Sequence, residues 1–269
     1  MRLDASATSE LSRSLEALTL LPEHPRSRLP GIFSVSFGSY PALMTAASSE
    51  VGHLVGSLVV FGGYASFVDT CRFMIGVGTP AASEPAPDPT CMAGIAINTA
   101  AALFQGEQRH KLMQAWQAFV VRAWGATDLQ HPEQFSGLAA QLVAELPPDL
   151  MQIFLQGCGV IPGFAAWAEE ALARTDIDSM DARAHLHKVR CPVHLFHGRR
   201  DNVIPHSQMA VLAAALTRVN PKTYLTGLYQ HSRGDAGMGV LAQLPTLLRE
   251  MKTMAAMVHA MVLSGTRPA

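Results

Sequence analysis

A serine flanked by small residues stands between a predicted strand and a predicted helix near the start of the chain. The apolar run Gly31-Ile32-Phe33 leads into Ser34-Val35-Ser36-Phe37-Gly38. The helix predicted at 40–47 has a proline in its first turn, where a missing N–H costs least. Where a strand turns sharply into a helix, the two backbones approach closely, so the residues two before and two after the central one must be small. Ser34 and Gly38 meet this requirement, which places Ser36 at the tip of the turn.

A predicted strand followed by an aspartate occurs far downstream, at 191–205. This segment contains an apolar strand, a glycine turn, Asp201 and a loop that ends in a proline. The pattern then predicts a helix at 207–216, a strand at 222–226 and a loop that presents His231. Asp201 and His231, like the serine of the first turn, each follow the C-terminal end of a predicted strand.

Together these segments resemble the α/β-hydrolase superfamily. The order serine, aspartate, histidine is that of its catalytic triad and differs from the two other well-known orders. The pentapeptide 34–38 is similar to the nucleophile elbow of the superfamily, with Ser34 in place of the more common glycine. The resemblance extends from Ser9 to the C-terminal helix. It implies an α/β-hydrolase fold, with a mostly parallel sheet, flanking helices and a helical cap insertion, which is here N-terminally truncated.

The resemblance also assigns roles to individual residues. Ser36 would be the nucleophile, His231 would remove its proton and return it to the leaving group, and Asp201 would hold the imidazole in one tautomer. The N–H of Phe37 would bind the oxyanion. Each triad residue has a simpler alternative: a helix-start serine, a turn aspartate bonded to its own backbone, and a surface-loop histidine. The neighbouring Asp235 is expected to be solvated rather than catalytic.

Part of the usual hydrolase machinery is not visible in the sequence. Residues 1–30 contain one amphipathic helix, for which Thr8 or Ser9 is the predicted N-cap. The apolar stripe of this helix consists of Leu11, Leu15, Leu18 and Leu21. In hydrolases the second oxyanion donor comes from a loop after an earlier strand, and the His197-Gly198 pair on the acid strand is not that loop. We therefore expect weak activity, since loss of one donor typically lowers turnover by ~10²–10³.

The elbow strand is expected to lack a neighbour on one side. Such a strand presents unpaired N–H and C=O groups along an apolar edge. The edge invites homodimerisation or aggregation, or it marks a missing segment. A start site placed too late or a shortened natural chain explains this arrangement more simply than a functional half-sheet does.

The chain is expected to consist of a core interrupted by an insertion. The strand predicted at 56–64 ends in a glycine pair, and the proline-rich segment 79–89 is typical of a linker that leaves the core. Only helical patterns follow, the clearest at 107–124. The predicted domains are an incomplete hydrolase core at 1–78 and 164–269 and a helical cap at 79–163.

Composition limits which binding partners and which cellular compartment are expected for this chain. The formal net charge of −1 offers no field that attracts nucleic acid. The four scattered cysteines lack the spacing of a zinc site or of a disulfide framework, which favours buried thiols in a reducing compartment. The N-terminus has no signal pattern, and the apolar stretch at 254–263 is too short to span a bilayer. We therefore expect a cytoplasmic protein without nucleic-acid or membrane partners.

The remaining polar clusters are two histidine pairs. His185 with His187, and His194 with His197, suggest a metal only weakly, because no carboxylate or thiolate completes a metal-site spacing. Neither a dinucleotide fingerprint nor a P-loop is present. The sequence therefore implies no metal and no cofactor.

The expected reaction is hydrolysis of a small, partly apolar carboxylic ester or thioester through an acyl-Ser36 intermediate. The same fold and triad also serve peptidases, lactonases, thioesterases and acyltransferases, so the substrate is not fixed by the resemblance. The alternative is a catalytically weak or inactive hydrolase remnant that acts as a binding or interaction module through its exposed edge.

Overall fold

Short strands alternate with helices along the chain. The computed structural model describes residues 6–25, 27–77, 85–88, 90–124, 126, 132–176, 178–227 and 244–264. The described residues form four strands: β1 Gly31–Val35, β2 Ser57–Phe61, β3 Val193–Gly198 and β4 Lys222–Thr226. They also form α1 Ala7–Leu20, α2 Ser39–Ala47, α3 Phe67–Met74, α4 Thr90–Leu103, α5 Gly106–Ala123, α6 Pro132–Val143, α7 Pro148–Gly157, α8 Phe164–Arg174, α9 Arg183–Leu186, α10 Ser207–Ala215 and α11 Leu244–Ser264.

The four strands form one sheet, in the order β1-β2-β3-β4, and every pair is parallel. Parallel neighbours require crossover connections, and helices occur in each connection here. The predicted fold class, an α/β fold with a parallel sheet and flanking helices, is confirmed. The strand that precedes Ser36, β1, lies at one edge of this sheet.

One face of the sheet is covered only in part. Val35 pairs with Phe61, and Phe61 pairs with Phe196, so the three side chains form a row across this face. Helix α11 packs over the inner part of the row, where Ala260 joins the buried cluster. At β1, Phe33 and Val35 remain 45% and 42% exposed. The apolar face of the sheet therefore extends beyond the cover that α11 provides.

The opposite side of β1 is buried. Ile32 and Ser34, which alternate with the two exposed side chains, are 8% and 7% exposed. Helix α2 contacts both β1 and β2, and its Leu43 is completely buried. This packing fixes the direction in which the chain leaves β1.

Helix α1 differs from its prediction at its N-terminus and in its apolar stripe. The helix begins at Ala7 after Ser6, and the hydroxyl and N–H of Ser9 both donate to the carbonyl of Ser6, at 2.8 Å and 3.0 Å. The predicted cap, Thr8 or Ser9, is therefore wrong, because both residues lie inside the first turn. In the apolar stripe Leu15 is buried, whereas Leu18 and Leu21 are 42% and 50% exposed.

The chain divides into two compact units. The helical unit consists mainly of residues 68–80 and 85–178, and the α/β unit mainly of residues 4–67 and 179–269. The helical unit extends beyond the predicted cap, because it includes most of α3 and all of α8. These two helices are joined by an ion pair between Arg72 and Glu169, with 3.1 Å between Nε and Oε1. That the helical unit caps the nucleophile stays a prediction.

Trp116 is at the centre of the helical unit. Its side chain is completely buried, and its indole N–H donates to the carbonyl of Phe154 at 3.1 Å. The ring stacks on Trp167, with 5.9 Å between the ring centroids. The helical spacing of apolar residues in α5 therefore reflects core packing. Among the described helices, none has the length and hydrophobicity needed to cross a bilayer.

Candidate active site

Ser36 occupies the turn between β1 and α2 in a strained conformation. Its φ is 56°, and among the described residues no other non-glycine residue has a positive φ. A short 3₁₀ turn, Ser36–Gly38, leads into α2, and the N–H of Ser39 donates to the carbonyl of Ser36. A non-glycine residue in this region costs about 1–3 kcal/mol, and such residues cluster at functional sites. The sharp turn predicted around Ser36 is present.

The loop after β2 packs closely against this turn. The N–H of Tyr64 donates to Ser39 Oγ at 3.3 Å. A Cβ on Gly63 would overlap Val60 Cγ1 and would lie 2.8 Å from Ser39 Cβ. Only glycine therefore allows the loop to pass so close to the start of α2.

Phe37, the predicted oxyanion donor, is fixed by aromatic contacts. Its ring packs edge-on against Tyr64 and Phe67, with 5.8 Å between the centroids in both pairs. The N–H groups of Ala65 and Ser66 donate to Gln208 Oε1, each at 3.0 Å. Since these two amides and that of Tyr64 already have acceptors, they do not provide a second oxyanion donor.

Asp201 lies in the loop after β3 and is completely buried. Its Oδ1 accepts the N–H groups of Val203 and Ile204, at 3.0 Å and 2.9 Å. Its Oδ2 lies 3.4 Å from Nε2 of His197, a nitrogen that is also 3.0 Å from the carbonyl oxygen of Ile204. The bonds of Oδ1 to the backbone are those of a turn aspartate, the simpler alternative predicted from the sequence. Oδ2 is not an acceptor in these bonds and lies near His197 instead.

The end of β2 approaches Oδ2 of Asp201. Gly62 has a φ of 58°, and a Cβ on this residue would lie 3.3 Å from that oxygen. The N–H of Gly62 donates to the carbonyl of Phe196 in β3, at 2.8 Å. Glycine is favoured at position 62 both by its φ and by the nearby carboxylate.

Ser36 and Asp201 lie at the same end of the sheet, the end formed by the C-termini of the strands. Each follows the C-terminal end of its strand, and β2 lies between the two strands, so the strands are about 10 Å apart. His231 and Asp235 lie outside the described residues. β4 ends at Thr226, five positions before His231 in the sequence. The assignment of His231 as the base, and the joint triad, stay predictions.

Two supporting side chains were not assigned to the site from the sequence. His197 was considered as a metal ligand and as part of an oxyanion loop and was rejected for both, and Gln208 gave no signal because it lies in an ordinary helical pattern. Both are buried, at 1% and 4% exposure, beside loops of the candidate site. A buried polar residue next to a predicted catalytic loop is the signal that would have indicated His197. The described residues contain no cluster of metal-binding side chains.

His194 gives the α/β unit a pH dependence. Burial lowers the pKa of His194 from its ordinary value of 6.5, and the positive charges of Lys222 and His259 lower it further. Its buried Nδ1 has no hydrogen-bond partner among the described residues. Because the unfolded chain then binds a proton more readily than the folded one, stability is complete above about pH 6.5 and falls as the pH decreases.

Replacement of His194 by phenylalanine is expected to weaken this dependence. Phenylalanine can keep the stack on Tyr224 but cannot be protonated. Thermal unfolding midpoints measured between about pH 5 and 8 should fall more steeply in the wild type than in His194→Phe. Equal slopes would show that another group controls the acid sensitivity.

The four cysteines are poorly suited to act as nucleophiles. All four are buried thiols that form no disulfide. Burial raises the pKa of Cys71 to about 12 and also raises that of Cys158. A thiol with such a pKa is almost completely protonated at neutral pH, and the thiolate is the reactive form.

The helical unit contains an open, mainly apolar cavity of about 350 Å³. Its lining includes Ile75, Met92, Val160, Ile161 and Phe164. A cavity of this volume can hold a small apolar group.

The chain is similar to solved structures of hydrolases. An alpha/beta fold family hydrolase from Bacillus anthracis str. Sterne matches with a TM-score of 0.44 and 14% identity, over 94% of this chain and 73% of the other. An acylaminoacyl peptidase from Pyrococcus horikoshii matches with a TM-score of 0.44 and 12% identity, over 96% and 28% of the two chains. A hydrolase from Pseudomonas aeruginosa PA01 matches with a TM-score of 0.39 and 15% identity, over 93% and 70%. No protein-family model and no curated protein matches.

Proposed function

We propose that the protein is a serine hydrolase that acts through an acyl-Ser36 intermediate. The observation that carries this proposal is the left-handed backbone of Ser36 at a strand-to-helix turn. A strained serine in this position can present its hydroxyl beyond the edge of the sheet. The buried carboxylate of Asp201, which also follows the C-terminal end of its strand, supports the assignment of Ser36 as the nucleophile.

In the proposed reaction, His231 takes the proton of the Ser36 hydroxyl as the oxygen attacks the substrate carbonyl carbon. The N–H of Phe37 binds the oxyanion of the tetrahedral intermediate. The intermediate collapses when the bond to the leaving group breaks and His231 donates its proton to that group. Water then attacks the acyl-enzyme in the same way, which releases the acid and restores Ser36. Asp201 orients His231 and stabilises its charged form.

The proposed substrate is a small, partly apolar carboxylic ester or thioester. The four buried thiols support a reducing, cytoplasmic location. We propose that the helical unit is a cap that shapes the substrate pocket.

Hydrolysis of short nitrophenyl esters tests this function. We expect slow, saturable turnover by the wild type, because no second oxyanion donor is identified among the described residues and the loss of one donor typically costs ~10²–10³ in rate. Ser36→Ala should reduce the rate to that of the buffer. Equal rates for the two proteins would exclude the mechanism.

The second candidate function is a binding or interaction module that retains the triad but not its activity. The loop after β2 favours this alternative, because its Tyr64, Ala65 and Ser66 amides donate to Ser39 and Gln208. The oxyanion then depends on the N–H of Phe37. Absence of ester turnover in a folded wild type would support the module.

We also propose that two copies of the chain pair through β1. The strand lies at the edge of the sheet, and its Phe33 and Val35 are 45% and 42% exposed. An edge strand complements itself under two-fold symmetry, which is the commonest symmetry of protein oligomers. Two copies would then form one continuous sheet and bury this apolar surface.

Phe33→Glu is expected to dissociate such a dimer, because it places a charge on the exposed apolar face of β1. Sedimentation velocity should show a dimer for the wild type and a monomer for the variant. Val121→Glu is the matched control, since Val121 is 82% exposed on α5 in the helical unit. A monomeric wild type would contradict the pairing.

A further inference from the structure

A second buried carboxylate in the α/β unit has no place in the proposed mechanism. Glu250 of α11 is 1% exposed, and Asp201 is the other buried carboxylate among the described residues of this unit. A buried carboxylate is costly unless hydrogen bonds or charges compensate for the lost water. The partners of Glu250 therefore indicate what it does.

Glu250 is bonded to the end of β4. The hydroxyl of Thr226 donates to its Oε2 at 2.6 Å, and Thr226 is also 1% exposed. Its Oε1 lies against the next residue, since a Cβ on Gly227 would be 3.0 Å from this oxygen. The carboxylate thus binds Thr226 and lies close to Gly227, where the chain leaves the sheet.

The position of this contact along the chain connects it with His231. β4 ends at Thr226 and α11 begins at Leu244, and His231 lies between them in the sequence. The bond from Thr226 to Glu250 therefore joins the two elements that flank the segment bearing His231. Thr226 also accepts the N–H of Arg199 at 2.7 Å, which ties the end of β4 to the exit of β3.

We propose that Glu250 is a positioning residue for His231, because its bond to Thr226 ties the end of β4 to α11, the two elements between which His231 lies in the sequence. The inference rests on the proposed function, in which His231 is the general base. A base must stay within hydrogen-bond reach of the proton it removes. A misplacement of about 1 Å can lower a rate by about 10²-fold. Loss of the short, buried bond between Thr226 and Glu250 is therefore expected to slow the reaction.

Three variants test the two partners of the bond. Thr226→Val removes the donor with little change in shape, Glu250→Ala removes the acceptor, and Glu250→Gln keeps an oxygen that can accept. Labelling of Ser36 by a fluorophosphonate should slow by about tenfold or more in the first two variants and by less in Glu250→Gln. For ester hydrolysis the loss should appear in kcat, with KM nearly unchanged.

Thr99→Val is the matched control in the helical unit. Thr99 is 2% exposed, and its hydroxyl donates to the carbonyl of Ile95 at 2.8 Å. The chemical change and the burial are the same as at Thr226, but the bond lies within one helix. Labelling at the wild-type rate is expected for this control.

A second measurement does not depend on activity. The ring signals of His231, assigned in a histidine-labelled protein by comparison with His231→Ala, should shift or broaden in Thr226→Val and Glu250→Ala. The control Thr99→Val should leave them unchanged. Where Glu250→Ala does not fold, Thr226→Val and Glu250→Gln are sufficient.

The outcomes separate this inference from the proposed function. Unchanged His231 signals, or altered signals with labelling at the wild-type rate, overturn the positioning role, whatever the melting temperatures are. Altered signals in a protein whose wild type is not labelled at Ser36 support positioning and remove the hydrolase function. Altered signals together with slow labelling support both.

Discussion

Replacement of His231 by alanine is expected to lower ester turnover by several orders of magnitude. The hydroxyl of Ser36 is a poor nucleophile at neutral pH, and no other group in the proposed mechanism removes its proton. Members of a triad act as a unit, so the loss of one removes most of the triad's contribution. The loss should appear in kcat, measured with a short nitrophenyl ester at saturating concentration.

The control for this substitution is His187→Ala. His187 is an exposed histidine of the same α/β unit, and it has no role in the proposed mechanism. This control should keep the wild-type rate. If His231→Ala also retained most of the activity, His231 would be removed from the mechanism.

Asp201→Asn is expected to reduce kcat by about 10⁴, since the neutral amide neither holds the correct tautomer of the histidine nor stabilises its charged form. Asparagine can still accept the two N–H groups that Oδ1 binds, from Val203 and Ile204. The loop should therefore stay folded, and circular dichroism should match the wild type. The effect should come mainly from Oδ2, the oxygen near Gly62 and His197.

Asp88→Asn is the matched control for this variant. Asp88 is also buried, at 2% exposure, and its Oδ1 accepts the N–H of Thr90 at 2.9 Å in the helical unit. We expect wild-type turnover from this variant. Comparable losses in both variants would mean that Asp201 acts only as a turn aspartate.

The strands and the elbow were predictable because their signals are local. Short apolar runs ended by glycine or by a small-residue pattern specify β1, β2 and β3, and the turn at Ser36 needs small residues at 34 and 38. These features depend on residues close together in the chain. The edge position of β1 was expected for a different reason, because the pattern of residues 1–30 predicts a helix and no strand that could pair with β1.

The contacts that hold the site were not predictable, because they join residues far apart in sequence. Gln208 binds amides 142 and 143 positions away, and Thr226 binds Glu250 over 24 positions. Their side chains carry no local pattern that distinguishes them from surface residues. The N-cap of α1 was missed for a different reason, since Ser6, Thr8 and Ser9 are all good cap residues.

Whether the protein acts as a hydrolase or as a binding module depends on how much catalysis a single oxyanion donor can support. The backbone of Ser36 is strained and the carboxylate of Asp201 is buried, which favours a reactive serine. The amides of Tyr64, Ala65 and Ser66 in the loop after β2 are occupied, which favours slow turnover. A slow hydrolase satisfies both observations.

The most direct test of the central claim is covalent labelling of the wild type and of Ser36→Ala with a fluorophosphonate, followed by mass spectrometry of the labelled peptide. In this reaction the Ser36 oxygen displaces fluoride from phosphorus, so a single adduct should form on the peptide that contains Ser36. Ser36→Ala should carry no adduct. Labelling at another residue, or equal labelling of both proteins, would contradict the assignment of Ser36 as the nucleophile.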